Sequence, residues 1–501
     1  MNGDFHLLKP RRLGIDTHSE AVALLRKDSI ISKAEGLDSH NRILLSCGAR
    51  QAVATLYPVE SSFLARDEIG LSDASWRMLE PLQGSLVRVQ HAPLVPSFGQ
   101  VRSRIFGTKL TEQDFHQVIA DLVAGRYSTI ETAAFITACA ADPLSQTEIC
   151  GLTAAMVANG QRLSWGTEVV ADKHSVGGLP GNRTTPVVVS ICAALGLVIP
   201  KTSSRAITSP AGTADTMEVM APVVLDEAAL RSVVERENGC IAWGGAVALS
   251  PADDILIRIE RALDIDSEGQ MIASILSKKI AAGATHVVVD MPIGATAKVR
   301  SSEAADKLER GLLAVASRFG LRARVVRGNG NQPIGRGVGP ALEARDVLAV
   351  LQCQAQAPQD LRSRSIELSG ALLELTGRAV EGTGAETARA ALDDGRAWAK
   401  FQRICDAQGG MRTLPVSSHQ RVIVATTAGT IASIDNRRIG RLAKLAGAPE
   451  DKAAGLELHV RVGTKVEPGS PFCTVHAESA GELAYALAYA SANSDIFRIA
   501  G

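Results

Sequence analysis

The stretch 172–220 constrains the fold of this 501-residue chain more than any other part of it. Two loops rich in glycine, serine and threonine, at 173–185 and 201–213, lie on either side of the apolar segment 187–197. An apolar strand end at 169–171 precedes the first loop. A strand, a glycine-rich loop and a helix in that order present backbone N–H groups and a helix N-terminus to an anion. The stretch therefore predicts a phosphate site.

A simpler interpretation of either loop is that its glycines only close a tight turn. Neither the Walker A sequence nor the dinucleotide-binding sequence G-x-G-x-x-G is present. Each loop nevertheless combines a basic residue with hydroxyls and glycines, and this repetition favours phosphate binding over turn closure. Lys173 supplies a positive charge in the first loop. Neutral hydrogen-bond donors come from the side chains of Ser175, Thr185, Ser203 and Thr213.

The overall composition argues against several classes of function. Lysine and arginine together number 53, as do aspartate and glutamate, so no basic excess indicates a nucleic-acid polymer as partner. Aromatic residues make up only 4% of the chain, which argues against a stacking surface for single strands. The eight cysteines form no C-x-x-C pair, so we expect no metal site and a reducing, cytoplasmic location. Neither a signal peptide nor a membrane span is predicted.

The order of the predicted elements indicates a multi-domain α/β protein. Alternating apolar residues near the N-terminus favour strands, and a helical period follows. Alternating strands and helices then predict a mostly parallel, helix-covered central sheet. The predicted domains are a small β-rich N-terminal domain at 1–95, a helical lobe at 96–170 joined by about 252–283, a large α/β phosphate-binding domain at 171–251 and 284–410, and an α+β C-terminal domain at 411–501.

Four motifs, in order along the chain, resemble those of the thymidine/pyrimidine-nucleoside phosphorylase family. They lie at 173–178 (KHSVGG), 203–215, 274–279 (SILSKK) and 331–335 (NQPIG). The similarity extends from about residue 105 to the C-terminus. Residues 181–185 and 204–213, together with the extra N-terminal domain, look most like the AMP phosphorylase branch, whose bacterial members are often called thymidine phosphorylases.

The resemblance implies a pentosyltransferase that cleaves an N-glycosidic bond with inorganic phosphate and releases a base and a pentose 1-phosphate. Because positive charge develops on the sugar during cleavage, a phosphate held close and aligned stabilises the transition state. Phosphate is then a co-substrate, and no cofactor is implied. The residues carried over as phosphate ligands are Lys173, Ser175, Thr185, Ser203 and Thr213. The family also implies a homodimer or a larger homo-oligomer.

The leaving base gathers negative charge and needs a hydrogen-bond or proton donor. By resemblance to the AMP branch, Asp266 is the proton donor, and Lys173 and His174 complete the catalytic set. Arg258 matches the base-binding arginine of the thymidine branch after a shift of one residue. The residues carried over as nucleoside or nucleotide contacts are Gly178, Ser204, Arg205, Ala206, Ile207, Thr208, Ser209, Thr213, Arg258, Ser274, Lys278 and Lys298.

Several of these residues also have purely structural interpretations. Asp266 could cap the helix that follows it. Lys278 and Lys279 could lie at a solvated helix end, where the helix dipole favours positive charge. Arg258 could form a surface ion pair with a nearby carboxylate. His174 could be either a structural hydrogen-bonding residue or a donor to the base, and the sequence favours neither.

Two departures from the thymidine branch bear on the substrate. That branch has a tyrosine three residues before its base-binding arginine, whereas residues 255–257 here are Ile, Leu and Ile. The loop after Arg205 carries hydroxyls instead of the branch's glycines and histidine, and with Arg205 these could receive a 5′-phosphate. We therefore expect a nucleoside 5′-monophosphate such as AMP as substrate and ribose 1,5-bisphosphate as product.

Two alternatives to this proposed activity remain open. Within the same class of enzyme, the alternative is a thymidine phosphorylase, which converts thymidine and phosphate to thymine and 2-deoxyribose 1-phosphate. In a different class, residues 460–469 resemble a biotinyl or lipoyl fold, which would make the chain a carrier or an assembly subunit. That interpretation needs a modifiable lysine at an exposed hairpin tip, and the expected flanking sequence is missing.

Overall fold

The protein was analysed as a computed structural model. The residues that the structure describes are 7–18, 20–29, 31, 42–60, 62–206, 209–265 and 267–500. The chain forms two compact units, Met1–Leu110 with Gln117–Ala138 and Thr111–His116 with Cys139–Gly501. The finer division into four domains stays a prediction.

Strands and helices follow one another along most of the described chain. The strands are β1 Leu7–Arg12, β2 Val22–Arg26, β3 Arg42–Cys47, β4 Arg50–Val59, β5 Glu68–Leu71, β6 Val87–His91, β7 Ala171–Ser175, β8 Ile199–Ser203, β9 Gly239–Trp243, β10 His286–Ile293, β11 Arg322–Asn329, β12 Gly337–Val338, β13 His419–Val424, β14 Gly429–Ile434, β15 Gly455–Leu458, β16 Lys465–Val466, β17 Pro471–Ala477 and β18 Phe497–Ala500. The helices are α1 Asp73–Leu79, α2 Phe98–Ile105, α3 Glu112–Val123, α4 Thr129–Ala141, α5 Gln146–Ala158, α6 Thr184–Ala194, α7 Thr213–Glu218, α8 Glu227–Glu237, α9 Pro251–Leu263, α10 Glu268–Ala281, α11 Ser302–Arg318, α12 Pro340–Leu351, α13 Gln359–Leu375, α14 Gly384–Asp393, α15 Arg396–Ala407, α16 Asn436–Leu445 and α17 Ala480–Ala492.

The N-terminal strands form a closed barrel in the order β1-β5-β2-β4-β3-β6. Strand β3 shows how the sequence specifies the barrel, because Ile43, Leu45 and Cys47 are buried and alternate with half-buried residues. One face of the strand therefore fills the barrel interior. Strand β3 pairs antiparallel with β4 and β6, whereas β2 and β4 pair in parallel. The predicted β-rich N-terminal region is confirmed.

The central sheet of the second unit is parallel. Strands β11, β10 and β7 pair in parallel, as do β8 and β9. A parallel bridge between Val170 and Val198 joins the two groups, so that the strand order is β11-β10-β7-β8-β9. The run 287–289 in β10 is fully buried, as in sheets with helices on both faces. The predicted mostly parallel central sheet is confirmed.

Strand β7 extends further than the sequence indicates. The sequence predicts that Lys173 begins a loop, but residues 173–175 continue the strand and pair in register with residues 288–290 of β10. Pairing with β10 satisfies the backbone N–H and C=O groups whatever the polarity of the side chains, so the polar composition misleads here. Because parallel strands end at the same edge of a sheet, Ser175 lies beside Asp290 at that edge.

Some helices of this unit begin at side-chain caps, and others begin without one. Ser145 and Glu148 form a capping box at the start of α5, and the Ser301 hydroxyl caps α11. Helix α11 follows this cap directly and runs over Ser302–Arg318. Helix α6 differs, because its N-cap residue Arg183 makes no side-chain capping hydrogen bond. The start of α6 thus keeps backbone N–H groups available.

The C-terminal segment has an α+β architecture, as predicted. Strands β12, β15, β17 and β13 form one antiparallel sheet, and β16, β14 and β18 form another. Helices α16 and α17 pack on each other and on these sheets. Within the described part of the chain, no helix combines the length and the hydropathy that crossing a lipid bilayer requires.

Candidate active site

Lys173 is the centre of the polar cluster at the carboxyl edge of the sheet. Its side chain is fully buried, with Nζ 2.8 Å from Thr184 Oγ1 and 3.4 Å from Thr185 Oγ1. The carboxylate of Asp290 lies 3.6 Å away. Burial lowers the pKa of Lys173 to about 8, although the negative charge of Asp290 opposes this change. A buried cation at this position is poorly compensated until an anion arrives.

Asp290 holds the two sides of this cluster together. Its Oδ2 accepts hydrogen bonds from Asn182 Nδ2 at 2.9 Å and from Ser175 Oγ at 3.3 Å, and Oδ1 accepts one from Arg364 Nε at 3.1 Å. Burial alone would raise the pKa of Asp290, but the charges of Lys173 and Arg364 outweigh it and hold that pKa below its usual range. Asp290 is therefore a carboxylate that orients donors around the first loop.

Arg183 connects the first loop to the second. Its Nη1 donates to Thr213 Oγ1 at 3.0 Å and its Nη2 to the carbonyl of Ala211 at 2.8 Å, while Nε binds Glu343. Thr216 donates to the same Glu343 carboxylate at 3.1 Å. The N-termini of α6 and α7 are thereby fixed beside each other. This contact brings the predicted phosphate ligands of the two loops into one region.

Ser203, at the end of β8, carries a polar atom without a partner. Its Oγ is buried and makes no hydrogen bond to any residue that the structure describes. The next residue, Ser204, accepts a hydrogen bond from Ala214 N at 3.3 Å, so the loop folds back on α7. A Cβ on Gly212 would lie 2.4 Å from the carbonyl carbon of Arg205, so only glycine permits this fold. Buried hydroxyls normally have partners, so the Ser203 hydroxyl is available to one that the described residues do not supply.

His174 lies among four cations and is held neutral. Burial is the largest cause of its lowered pKa, and the charges of Lys279, Lys278, Lys201 and Lys173 lower it further. An imidazole in this state donates one hydrogen bond and accepts another, but it does not supply a proton as an imidazolium. The sequence left two roles open for His174, a structural hydrogen-bonding residue and a hydrogen-bond donor to the base. The neutral imidazole is sufficient for either role.

Two of the residues predicted to contact the base, Ser274 and Lys278, lie on α10. Lys278 Nζ is 3.2 Å from Ser274 Oγ and 2.6 Å from Asp253 Oδ2, so Ser274 and Lys278 pair on one helix face. Lys279 behaves differently from a solvated helix end. It is 2% exposed and its Nζ lies 2.6 Å from Asp172 Oδ2. The solvated interpretation of Lys279 is therefore wrong.

Asp172 forms ion pairs with two lysines from different elements. Lys279 of α10 and Lys201 of β8 contact its two carboxylate oxygens, the latter at 3.2 Å. Burial lowers the pKa of Lys279 to about 7, with Asp172 opposing and Lys201 adding to the change. Because Asp172 precedes Lys173, the cluster fixes α10 against the strand that carries the predicted phosphate ligands.

Two predicted nucleotide contacts, Gly178 and Lys298, touch each other. Gly178 has φ +80°, and a Cβ there would lie 2.4 Å from the backbone nitrogen of Lys298. Only glycine permits both the left-handed backbone and this close approach. The first loop is thereby packed against the segment that follows β10.

Arg205 is already bound to carboxylates. Its Nη1 and Nη2 contact the two oxygens of Glu218 at 2.7 Å each, and Nη1 lies 3.1 Å from Asp215 Oδ1. The guanidinium also lies over the Trp243 ring, 5.0 Å from its centroid. Hydrogen bonding to Glu218 raises the pKa of Arg205. A 5′-phosphate at Arg205 would therefore compete with Glu218 and Asp215 for the guanidinium.

The remaining predicted residues are distributed around these loops. Ala206 donates its backbone N–H to Asp215 at 2.6 Å, and Ser209 Oγ donates to the carbonyl of Ala211 at 2.7 Å. Arg258 lies on α9 with an exposed side chain. Asp266, Ile207 and Thr208 lie outside the described residues, so their predicted roles stay predictions.

Several residues of this cluster escape sequence reasoning because their partners are distant in the chain. The contacts of Asp290 with Asn182 and Arg364 span 108 and 74 residues, and that of Arg183 with Glu343 spans 160. The position of Asp290 could have been noticed in the sequence, because this acidic residue directly follows the apolar run of β10. Within the described residues, no group of His, Cys, Asp and Glu is arranged to hold a metal ion.

Three segments of the chain match known families. Residues 101–160 match the glycosyl transferase family helical bundle domain, residues 167–398 the glycosyl transferase family a/b domain, and residues 430–497 the pyrimidine nucleoside phosphorylase C-terminal domain. A protein of Sphingopyxis alaskensis named "Putative thymidine phosphorylase" is 57% identical over 99% of this chain and 96% of its own length. The chain belongs to the thymidine/pyrimidine-nucleoside phosphorylase family.

Further relatives agree with this family. A "Putative thymidine phosphorylase" of a Polaromonas species is also 57% identical, over 99% of this chain and 97% of its own length. Anthranilate phosphoribosyltransferase of Thermus thermophilus shares the fold, with a TM-score of 0.52 and 21% identity over 62% of this chain and 98% of that chain. As a phosphorylase-family member the chain is a pentosyltransferase. Residues 460–469 lie inside the family's own C-terminal domain, which removes the basis for a carrier role.

Proposed function

We propose that this phosphorylase-family enzyme cleaves the N-glycosidic bond of a nucleoside 5′-monophosphate such as AMP with inorganic phosphate. The products are the free base and ribose 1,5-bisphosphate. The observation that carries the phosphate part of the proposal is the buried hydroxyl of Ser203, which has no partner among the described residues and ends β8, while the buried Lys173 lies in β7 of the same sheet. A dianion between the loops would satisfy that hydroxyl and neutralise the lysine.

The proposed phosphate ligands act by charge and by alignment. Lys173 supplies the positive charge, and Ser175, Thr185, Ser203 and Thr213 supply neutral donors. Asp290 holds the Ser175 side of the set through its hydrogen bond, and Arg183 holds Thr213. As the bond to the base breaks, the sugar gains positive charge, and the fixed phosphate lies ready to attack its anomeric carbon. Such positioning lowers the barrier without any metal or cofactor, whose absence is part of the proposal.

The leaving base requires a proton or a strong hydrogen bond. In this proposal Asp266 donates it, as in the AMP branch that the sequence resembles. Neutral His174, with Lys278 and Ser274 on α10, contacts the nucleoside and stabilises the negative charge that develops on the base. A cytoplasmic location and a homo-oligomeric state remain part of the proposal.

The choice of a nucleotide over thymidine is supported by two sequence features of the site. Residues 255–257 lack the tyrosine of the thymidine branch, and residues 204–209 carry hydroxyls where that branch has glycines and a histidine. The names of the relatives favour thymidine as the alternative substrate, which is the second candidate function. The two candidate substrates differ in the 5′-phosphate, in the base and in the 2′-hydroxyl of the sugar.

A substrate panel separates the candidates. The purified chain is incubated with phosphate and with AMP, CMP, UMP, thymidine or uridine in turn, and release of the free base and of the sugar phosphate is measured. We expect turnover of a nucleoside monophosphate and formation of ribose 1,5-bisphosphate. Turnover of thymidine alone would reject the nucleotide proposal and leave the thymidine phosphorylase candidate.

The proposed proton donor is tested with a neighbouring control. Asp266→Asn should lower kcat by about a hundredfold or more, because general acid catalysis contributes a factor of about 10² to 10⁴. Asp264→Asn is the matched control, since Asp264 is an exposed C-cap residue with φ 52°, a conformation that asparagine adopts readily. Equal kcat values for the two variants would remove Asp266 from the mechanism.

A further inference from the structure

A second group of cations lies on helices α9 and α16. Arg441 and Lys444 are one turn apart on α16, and Arg261 lies in the last turn of α9. Lys444 is half-buried, and burial together with the charges of Arg261 and Arg441 lowers its pKa to about 8, which Glu450 opposes only weakly. We call Arg261, Arg441 and Lys444 the basic cluster.

The basic cluster lacks the acidic partners that other cations of the segment have. Arg438, on the same helix, contacts Asp435 at 3.7 Å and also binds Asp495. In the described part of the chain, none of the three side chains of the basic cluster makes a hydrogen bond or an ion pair. Lys444 is half-buried beside the two exposed arginines, and a half-buried cation with cationic neighbours favours an anion as its partner. The arrangement therefore indicates a site for an anion.

Helix α16 is held firmly beside the loops of the candidate active site. Asn436, in its first turn, donates to Thr296 Oγ1 at 3.0 Å and to the carbonyl of Gly330 at 2.8 Å. Thr296 lies two residues before Lys298. The Asp435 side chain caps the helix by accepting from two backbone N–H groups. Side chains on the inner face of α16 consequently have a defined position relative to the segment that contains Lys298.

Lys444 lies on the face of α16 that packs against the second loop. Gly440 is four residues before Lys444, so the two share a helix face. A Cβ on Gly440 would lie 3.6 Å from Pro210 Cδ. Pro210 follows Ser209, the last residue of the run 204–209 that we propose as a nucleotide contact. Helix α16, which carries Arg441 and Lys444, thus borders the proposed nucleotide site at Pro210.

We propose that Arg441 and Lys444, together with Arg261, receive the 5′-phosphate of the nucleotide substrate. This inference rests on the proposed function. A phosphate monoester carries a charge of about −1.5 to −2 and three strong acceptor oxygens, which matches three cations that form no ion pair among the described residues. The other candidate for this role, Arg205, is bound to Glu218 and Asp215. The basic cluster would then select nucleotides over nucleosides.

The experiment removes the charges of the cluster and separates the two phosphates of the reaction. Lys444→Gln and the double variant Lys444→Gln with Arg441→Gln are compared with the wild-type chain. We expect the KM for the nucleotide to rise at least tenfold, with the KM for inorganic phosphate changed less than twofold. Lys444→Arg should restore most of the nucleotide affinity. Arg421→Gln, an exposed strand residue of β13, is the charge-matched control and should leave both constants unchanged.

The outcomes distinguish this inference from the function on which it rests. If the wild-type chain turns over only nucleosides, the proposed function fails and takes the inference with it. If the wild type turns over nucleotides and Lys444→Gln behaves like Arg421→Gln, the inference fails and the function stands. A phosphate monoester that is not a substrate, such as glycerol phosphate, tests for a separate anion. Loss of its stabilising effect in Lys444→Gln with an unchanged nucleotide KM would reject the assignment to the 5′-phosphate.

A structural role of Lys444 makes a different prediction. Removing one of three repelling charges should leave the melting temperature of the ligand-free protein unchanged or raise it. A lower melting temperature together with equal losses in the two KM values would show that Lys444 only supports the fold, and would overturn the proposal.

Discussion

The rate at low phosphate concentration should depend on the ionisation of Lys173. Its pKa is lowered from 10.5 to about 8, mainly by burial. That interval corresponds to about 3 kcal/mol, or a few hundredfold in an equilibrium constant. A bound phosphate dianion neutralises the buried charge of Lys173. We therefore expect phosphate to bind the enzyme with protonated Lys173 more tightly than the enzyme with neutral Lys173, by up to about 3 kcal/mol. Phosphate and protonation of Lys173 are therefore coupled.

The assay is the pH dependence of kcat/KM for phosphate between about pH 6 and about pH 10. This constant reports groups of the free enzyme. We expect an alkaline limb with an apparent pKa near 8, above which kcat/KM falls about tenfold for each pH unit. The alkaline limb of kcat should lie at higher pH, because saturating phosphate restores the pKa of Lys173. Coinciding limbs, or a limb of kcat/KM above about pH 10, would refute this reasoning.

Substitutions of two lysines test which of them causes the alkaline limb of kcat/KM for phosphate. Lys173→Met should abolish it and raise the KM for phosphate by about a hundredfold or more, since a charged hydrogen-bonding group is lost from a buried site. Lys279→Met is the control, because the pKa of Lys279 is also lowered, to about 7, yet its partner is Asp172. A limb near pH 8 that survives in Lys173→Met but not in Lys279→Met would move the titration to Lys279.

The lowered pKa of Lys173 also determines how the stability of the folded protein changes with pH. The charged form of Lys173 is disfavoured in the folded protein, so the destabilising contribution is complete below about pH 8. It disappears as the pH rises from about 8 towards the ordinary value of 10.5. Phosphate should accordingly raise the melting temperature more at pH 7 than at pH 10, which thermal unfolding with and without phosphate measures.

Three further substitutions test other parts of the site. Ser203→Ala should raise the KM for phosphate about tenfold without lowering the melting temperature, because its buried hydroxyl has no partner to lose; an unchanged KM would remove it from the site. Asp290→Asn should destabilise the fold by about 3 to 5 kcal/mol in urea unfolding, since Lys173 and Arg364 lose their carboxylate. Gly178→Ala should lose more activity than Gly177→Ala, which shares the left-handed backbone without the contact to Lys298; equal losses would contradict the role of that contact.

Local sequence patterns predicted the layers of the fold because those layers depend on short-range signals. The parallel sheet follows from apolar runs such as 287–289, and α11 follows from its serine cap and helical period. The extent of β7 was not predictable in this way. Residues 173–175 are polar and look like a loop, and only the neighbouring strand β10 makes them a strand.

The candidate site was partly predictable for a similar reason. Lys173 and Ser203 are marked by the glycine- and hydroxyl-rich stretches of sequence that contain them. The network that holds them is not marked, because Asp290, Arg364 and Glu343 come from elements far along the chain. Burial of charge is equally invisible in the sequence. Lys279 looks like the end of a solvated helix and becomes buried only because Asp172 of another element lies opposite it.

The N-terminal barrel closes on itself, so each of its strands has a hydrogen-bonded neighbour on either side within the described residues. Such a module offers no free strand edge on which another chain could extend the sheet. Any partner of this module would have to recognise side chains or connecting segments instead of main-chain groups. Substitutions on the outward-facing positions of its strands could therefore change a partner while leaving the interior packing of the barrel intact.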